Sequence, residues 1–508
     1  MLSLGDGISF FYTFDTNLKS SRNMRKSQII IISFILLLNS LVFSAHIEKN
    51  KLNPAFVKAL NKTQVERVDG FETGGIAFPV ELGFAAFKSQ KNVNLPGYYD
   101  LRDLGMTAPV ETQSSGGCWA YSSMSTVESR LLMTGDGVYD FSDNNLKYCH
   151  GFFDSRSTNG NAWMTAAYFA RQSGPLLEAQ DPYPGGTSQP GVNCPIGEPA
   201  AFFIRDARYP PGDMNTIKQL VMDIGSVWSL LYINTSYFNA SDNTYFYGGN
   251  HAVNHVFNIV GWDDNRVTAG GTGAWICQNT WGAGWGEGGY VYVSYNDTQL
   301  LKYNAYYPNK KAYSADSRVL LYDELGNYNS AGYQQETGYA LCKYTTTDNI
   351  FIEEIGTYAM AYGTSIEMEL YSNFDEITGT LSGLLGVMSP HTTEHPGFYT
   401  FPIDNQFPLN AGTSFYIKVK YTTPGYDWPI PIEEFIDTYA DPAIESDVAW
   451  VSENGLVGNW EKIGANTADV MDLCINVYGT YNPVTIPLSN GILLSVFLAL
   501  IVFYRFKK

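Results

Sequence analysis

The chain has 508 residues, 45% hydrophobic and 16% charged, so it forms packed cores and its length calls for two or three domains. A formal net charge of −19 without any basic run excludes a nucleic-acid partner, because binding phosphates needs a Lys/Arg face. Aromatics at 15% together with 48 glycines favour strands and turns over long helices.

In chain order, the first 45 residues predict a leader and signal peptide. Arg22, Arg25 and Lys26 precede an apolar run from Ile29 to Val42, and the small residues Ser44 and Ala45 follow. Charged, apolar and small, in that order, is the pattern of a secretory signal. Residues 46–93 have little periodicity and are expected to be a short propeptide-like segment. LPGYYDLRDLG (95–105) opens a region, 94–312, dense in Gly, Trp and short alternating runs. Residues 313–480 change character. Short segments such as SIEMELYSN (365–373) and SFYIKVKYTT (414–423) alternate between turns, which predicts a β-sandwich of its own.

Residues 481–508 are expected to hold a linker, a single transmembrane helix and a basic cytosolic tip. No formal charge occurs from Leu473 to Tyr504, and Arg505, Lys507 and Lys508 close the chain. Together the two ends place the catalytic region in the secretory route, at the cell surface or in a lysosome- or vacuole-like compartment. Sequons at Asn61, Asn234, Asn239 and Asn296 fit that route. Six cysteines are too few for a dense disulfide framework; Cys149 with Cys194 and Cys342 with Cys474 are the expected pairs by region, and Cys277 in AWICQ reads as a buried thiol.

Cys118 has different surroundings. In TQSSGGCWAYSSMSTVESRLLMTGDG (112–137), Ala120, Met124, Val127 and Leu131 mark one helical face, ended by Gly135 and Gly137. Two glycines let the chain turn tightly into this helix, so Cys118 stands in its first turn. Free backbone N–H groups and the positive dipole end favour a thiolate there, the form that nucleophilic sulfur chemistry needs. Of six histidines, His255 in GGNHAVNHVFNIVGWDD opens an alternating strand and can project into a cleft, whereas His251 lies in the preceding loop. The pair spells HxxxH, but Ala252 stands where a zinc peptidase helix needs Glu, so neither a metal nor a cofactor is expected. Asn279, at a strand end in CQNTWGAGWGEGG, can orient an imidazole without adding charge, and Trp281 can shield that bond from water.

The three blocks QSSGGCWAYS, NHVFNIVGWDD and CQNTWGAGWGEGGYVYVSY resemble the signature blocks of papain-like cysteine peptidases, in that family's order of Gln, Cys, His and Asn. The resemblance implies an α+β catalytic domain of two lobes, one helical and one barrel-like, followed here by an all-β sandwich. It implies that Cys118 is the nucleophile, His255 the general acid/base, Asn279 its orienting residue and Gln113 an oxyanion-hole donor beside the Cys118 N–H. Trp119, Trp281 and Gly160 fall at shielding and subsite positions. The substrates implied are peptides, cleaved through a thioester. A spacing of 137 residues from Cys118 to His255 fits the family range of about 130–150. Asn279 lies 161 beyond Cys118, consistent with an insertion around Asn265–Gly273.

This chain departs from the family pattern in two places. The Gln-to-Cys stretch is one residue shorter and lacks the family's extra cysteine, and Asn161 replaces the second glycine of the cleft segment TNGNAWM. NPAF (53–56), LPGYYDLRDLG and the 313–480 region are similar to a subgroup with an appended lectin-like sandwich. That likeness raises glycans as partners of 313–480, although Trp428, Trp450 and Trp460 read first as packing residues. Two alternatives to an active endopeptidase are a surface adhesin with a vestigial peptidase domain, and an enzyme that passes acyl groups to amines.

Overall fold

The structure, a computed structural model, describes residues 46–62, 66–89, 94–183, 186 and 194–483. The expected signal peptide and nearly all of the 481–508 tail lie outside these residues. No helix among the described residues is long and apolar enough to cross a membrane.

Helix α1 (Pro54–Leu60) lies in the segment where little periodicity was expected. Asn53 caps it by accepting the Ala55 N–H, Pro54 sits at its first position, and Phe56 is its buried anchor. The helical lobe of the 94–312 region holds α2 (Cys118–Met133), α3 (Asp143–Tyr148) and α4 (Ala162–Ala170). Helix α2 is buried on nearly every side, and several of its Ser and Thr hydroxyls donate to backbone carbonyls. Ser123 donates to Trp119 O and Thr126 to Ser122 O. Thr134 closes the helix, and Gly135 follows at φ +74°, a conformation that favours glycine.

The second lobe is a sheet built on β3 (Val227–Leu231), β4 (His255–Thr268), β5 (Gly271–Gln278) and β6 (Tyr290–Ser294), all antiparallel neighbours in the order β3-β4-β5-β6. A short strand, β2 (Tyr98–Asp100), also pairs with β4. The β4–β5 hairpin extends to a tip at Thr268–Gly271 and carries a register shift between Asp263 and Val267, which accounts for the long His255-to-Asn279 spacing. Helix α2 packs on β4. Asn258 ties them, donating to Ser122 O at 3.0 Å and accepting from Thr126 Oγ1 at 3.2 Å.

The all-β sandwich follows, with a six-stranded sheet (380–392, 365–375, 414–422, 337–345, 449–452 and 461–463) over a five-stranded one. The sandwich borrows strands. Ala207–Arg208 of the peptidase region completes the edge of the five-stranded sheet beside Gly397–Leu409. From the leader, β1 (Glu48–Lys49) pairs with β7 (Asn329–Gly332) at the edge of a small four-stranded sheet, and Ile47 enters the sandwich core.

Cys149 and Cys194 form a disulfide with Cα atoms 5.8 Å apart. The expected Cys342–Cys474 pair does not form. Both are buried free thiols, and they point into different cores: Cys342 into the sandwich interior, Cys474 into the cluster shared with the peptidase region. Trp450 is 2% exposed, and Trp428 and Trp460 pack against buried clusters, as packing residues do.

Where the sandwich meets the peptidase lobe, burial pushes the Asp472 carboxyl up to about 7 and those of Asp323 and Glu433 well above the carboxylate range. Their raised folded values stabilise the fold below the unfolded carboxyl range near 4; the Asp472 share is lost as pH rises through about 7, and the Asp323 and Glu433 shares as pH rises through their own raised values. Burial holds His150, His255 and His395 below the usual imidazole range, so their contribution is lost only as pH falls below about 6.5. Just above that point the raised carboxyls dominate the change. The melting temperature should therefore fall between about pH 6.5 and pH 8, and differential scanning fluorimetry across a buffer series checks this.

Candidate active site

The backbone around Cys118 turns as the two glycines require. Gly116 has φ +60°, and a Cβ there would lie 2.0 Å from the Thr158 carbonyl oxygen; Gly117 then caps α2, and Cys118 is its first residue. The sulfur is fully buried and faces the backbone N–H groups of Gly74, Val256 and Trp119. Because Val256 directly follows His255, the start of α2 and the start of β4 meet at this point.

His255 Nε2 and Asn279 Oδ1 are 2.8 Å apart. The same Asn279 oxygen accepts the Thr280 N–H at 2.7 Å, which fixes the amide's orientation. His255 Nδ1 makes no hydrogen bond to protein and remains uncommitted. Trp281 covers the pair, its ring 4.7 Å from the imidazole. Burial pushes the Cys118 thiol up to about 12, against the nearby N–H groups, and holds His255 down to about 4, against the Asn279 bond. Both side chains are therefore neutral at physiological pH in this form.

Gln113 sits beside them. Its backbone N–H donates to Thr280 O at 2.7 Å, and Thr280 Oγ1 donates to its side-chain oxygen at 2.6 Å. Its Nε2 donates to the carbonyl of Glu72 at 2.8 Å. The missing residue in the Gln-to-Cys stretch thus does not take Gln113 away from the site. Trp119 lies beneath, with its carbonyl accepting from Trp228 Nε1 at 3.2 Å. Gly160 lines the cleft, and a Cβ there would lie 2.7 Å from the Trp119 ring.

The sequence marked 46–93 as propeptide-like but named none of the residues that cross this site. Gly75 N–H donates to Asn254 O at 2.9 Å, Ile76 N–H to Gly160 O at 3.0 Å, and Gly160 N–H to Gly74 O at 2.8 Å. Phe71 stacks on Trp281 at 5.1 Å, and Phe78 packs among Trp163, Tyr209, Trp228 and Tyr303. Only glycines fit at the centre. A Cβ on Gly74 would lie 1.9 Å from Gly116 O, and one on Gly75 would lie 2.5 Å from Leu230 Cδ2. The Gly74–Gly75 pair in an otherwise ordinary stretch was the available signal.

Two family models match the chain: "Papain family cysteine protease" over residues 95–309 and "Lectin like domain" over 319–479. Mouse cathepsin J is 25% identical over 282 residues, covering 53% of this chain and 83% of that protein. Chicken cathepsin K is 30% identical over 209 residues, 40% of this chain and 60% of that protein. Among solved structures, the cysteine protease and lectin-like domains of Cwp84, a surface layer associated protein of Clostridium difficile, superpose with a TM-score of 0.72 at 21% identity, covering 86% of this chain and 99% of that one. The family models and the shared fold show a papain-family cysteine peptidase domain at 95–309 followed by a lectin-like domain at 319–479.

Proposed function

We propose that the chain is a cysteine endopeptidase made in a latent form, with residues 46–93 as its inhibitory segment. The observation that carries the catalytic part is the buried His255–Asn279 pair set where the start of α2 brings the Cys118 sulfur. His255 takes the Cys118 proton as the sulfur attacks a peptide carbonyl carbon, and the new oxyanion is met by Gln113 Nε2 and the Cys118 N–H. Collapse releases the amine, which leaves with the proton from His255, and a thioester remains. Water, deprotonated by His255, then attacks the thioester carbon; the C–S bond breaks, the acid is freed, and His255 returns the proton to the Cys118 sulfur. Asn279 keeps the ring oriented and Trp281 keeps water off the bond that does so.

Latency is supported by the leader's backbone lying in the cleft. Gly74, Gly75 and Ile76 are pinned there by backbone hydrogen bonds to Gly160 and Asn254. The Glu72 carbonyl takes the Gln113 amide that an oxyanion would need. The lectin-like domain holds the segment on both sides of the cleft. At one end are the β1–β7 pairing and the Lys49–Glu434 ion pair at 2.7 Å; at the other, Gly83 N–H donates to Met360 O and Tyr426 O–H to Glu81 O. Entry into the secretory route and a C-terminal tether rest on the 1–45 and 481–508 sequences, and release of the chain by a high-salt wash of membranes would remove the tether.

Cys118→Ala should abolish peptide hydrolysis and thiol-probe labelling of the leader-free enzyme. Loss of the nucleophile typically costs at least about 10⁴-fold in rate, and a fluorogenic peptide assay reads it. Gly74→Ala should do the opposite in the uncleaved chain, because its methyl clashes with Gly116 O and lifts the leader. Cys118 labelling by an activity probe should rise several-fold over the uncleaved wild type, and unchanged labelling would argue against the leader as the inhibitor.

A further inference from the structure

The sequon Asn239-Ala240-Ser241 lies in a short hairpin beside the cleft, where Phe238–Asn239 pairs with Thr244–Tyr245. Successive strand residues face opposite ways. Phe238 turns inward and stacks on Trp285 at 4.8 Å, while Asn239 is exposed. Local polar bonds fix the tip. Asn239 Oδ1 accepts the Ser241 N–H at 3.1 Å and the Ser241 hydroxyl at 2.8 Å, and Asp242 Oδ1 accepts the Thr244 N–H at 3.2 Å and its hydroxyl at 2.8 Å. Arg266 donates to the Asp242 carbonyl. The Asn239 oxygen is thus held, and no hydrogen bond among the described residues takes up its Nδ2.

The other sequons are placed differently. Asn296 Nδ2 donates to Gly270 O at 2.8 Å, and the Thr298 hydroxyl of that sequon is taken by the carbonyls of Tyr247 and Gly249. Asn61 Nδ2 donates to Val57 O at 3.0 Å, and Asn234 is half-buried. Asn239 combines exposure, a fixed amide oxygen and an uncommitted amide nitrogen. Its surroundings tie it to the cleft. A chain lying in the cleft passes over Trp281, as the leader does with Phe71 stacked there at 5.1 Å. Trp281 covers His255, the group that protonates the leaving amine, so the amine half of a substrate lies on this side. Trp281 meets Trp285 edge-on at 5.2 Å, and Trp285 carries Phe238. A continuous line of rings therefore runs from the His255 imidazole to the residue next to Asn239.

We propose that Asn239 carries an N-linked glycan that stands at the amine-side mouth of the cleft and screens folded proteins from it. The proposal rests on entry of the chain into the secretory route. The co-reactant is a polyprenyl-diphosphate-linked oligosaccharide, presented by a transferase of that route. Asn239 Nδ2 forms a C–N bond to the anomeric carbon, the anomeric C–O bond to the diphosphate breaks, and the amide proton passes to a base of the transferase. A hydrated oligosaccharide is bulky and stays in solvent. At this rim it leaves room for an extended chain and excludes the body of a folded one.

The test expresses the full chain in a eukaryotic secretory host, once with its own residues 1–45 and once with a different cleavable signal in their place. Peptide mass spectrometry before and after glycan removal should find the modification on Asn239. It should be lost in Asn239→Gln and Ser241→Ala, and kept in Ser241→Thr and Asn296→Gln. A bare Asn239 under the replacement signal overturns the proposal. Glycan there, with a bare chain under the native 1–45 segment, upholds it and overturns the secretory reading instead. After removal of the leader, wild type and Asn239→Gln should hydrolyse a small fluorogenic peptide alike. Asn239→Gln and enzymatically deglycosylated wild type should cleave native serum albumin several-fold faster than the glycosylated enzyme, and equal cleavage by all three overturns the screening role.

Discussion

The site depends on one joint, the packing of α2 against β4 through Asn258. This buried amide donates to the Ser122 carbonyl and accepts the Thr126 hydroxyl, so helix and strand cannot slide without leaving polar groups unpaired in a dry interior. Cys118 is the first residue of the helix and His255 the first of the strand. A clasp one helical turn and three strand residues into these elements therefore sets the relation between the two reactive atoms. Asn279 and Gln113 reach the same point from a third direction, both tied to Thr280.

Burial then sets the chemical state of the pair. A thiol pushed up to about 12 beside an imidazole held near 4 is a neutral couple, the opposite of the ion pair that attack on a carbonyl needs. The leader's backbone is packed into the cleft between Gly160 and the start of β4.

Much of this was legible in the residues. The helix after Cys118, the strand opening at His255 and the strand ending before Asn279 follow from period, glycine placement and turn chemistry, because each is a local signal. The sandwich at 313–480 was legible for the same reason. What escaped were features made by distant segments. Gly74 and Gly75 are unremarkable until Gly116 and Leu230 close on them. Lys147 carries no sign in the sequence that other segments of the fold will bury it. The strand borrowed from Ala207–Arg208 spans a gap that no window covers. Cys342 and Cys474 were paired by region, whereas the facing of each strand decides which core each sulfur enters.

The borrowed edge at β7 has its own consequence. While β1 is in place, the Asn329–Gly332 backbone has a partner and Ile47 fills a slot in the sandwich. A molecule that sheds its first segment uncovers a row of unpaired amides beside an apolar notch, the template onto which another extended chain adds. Without β1 the accessory domain would pass from a self-capped module to one with an open edge able to take a strand.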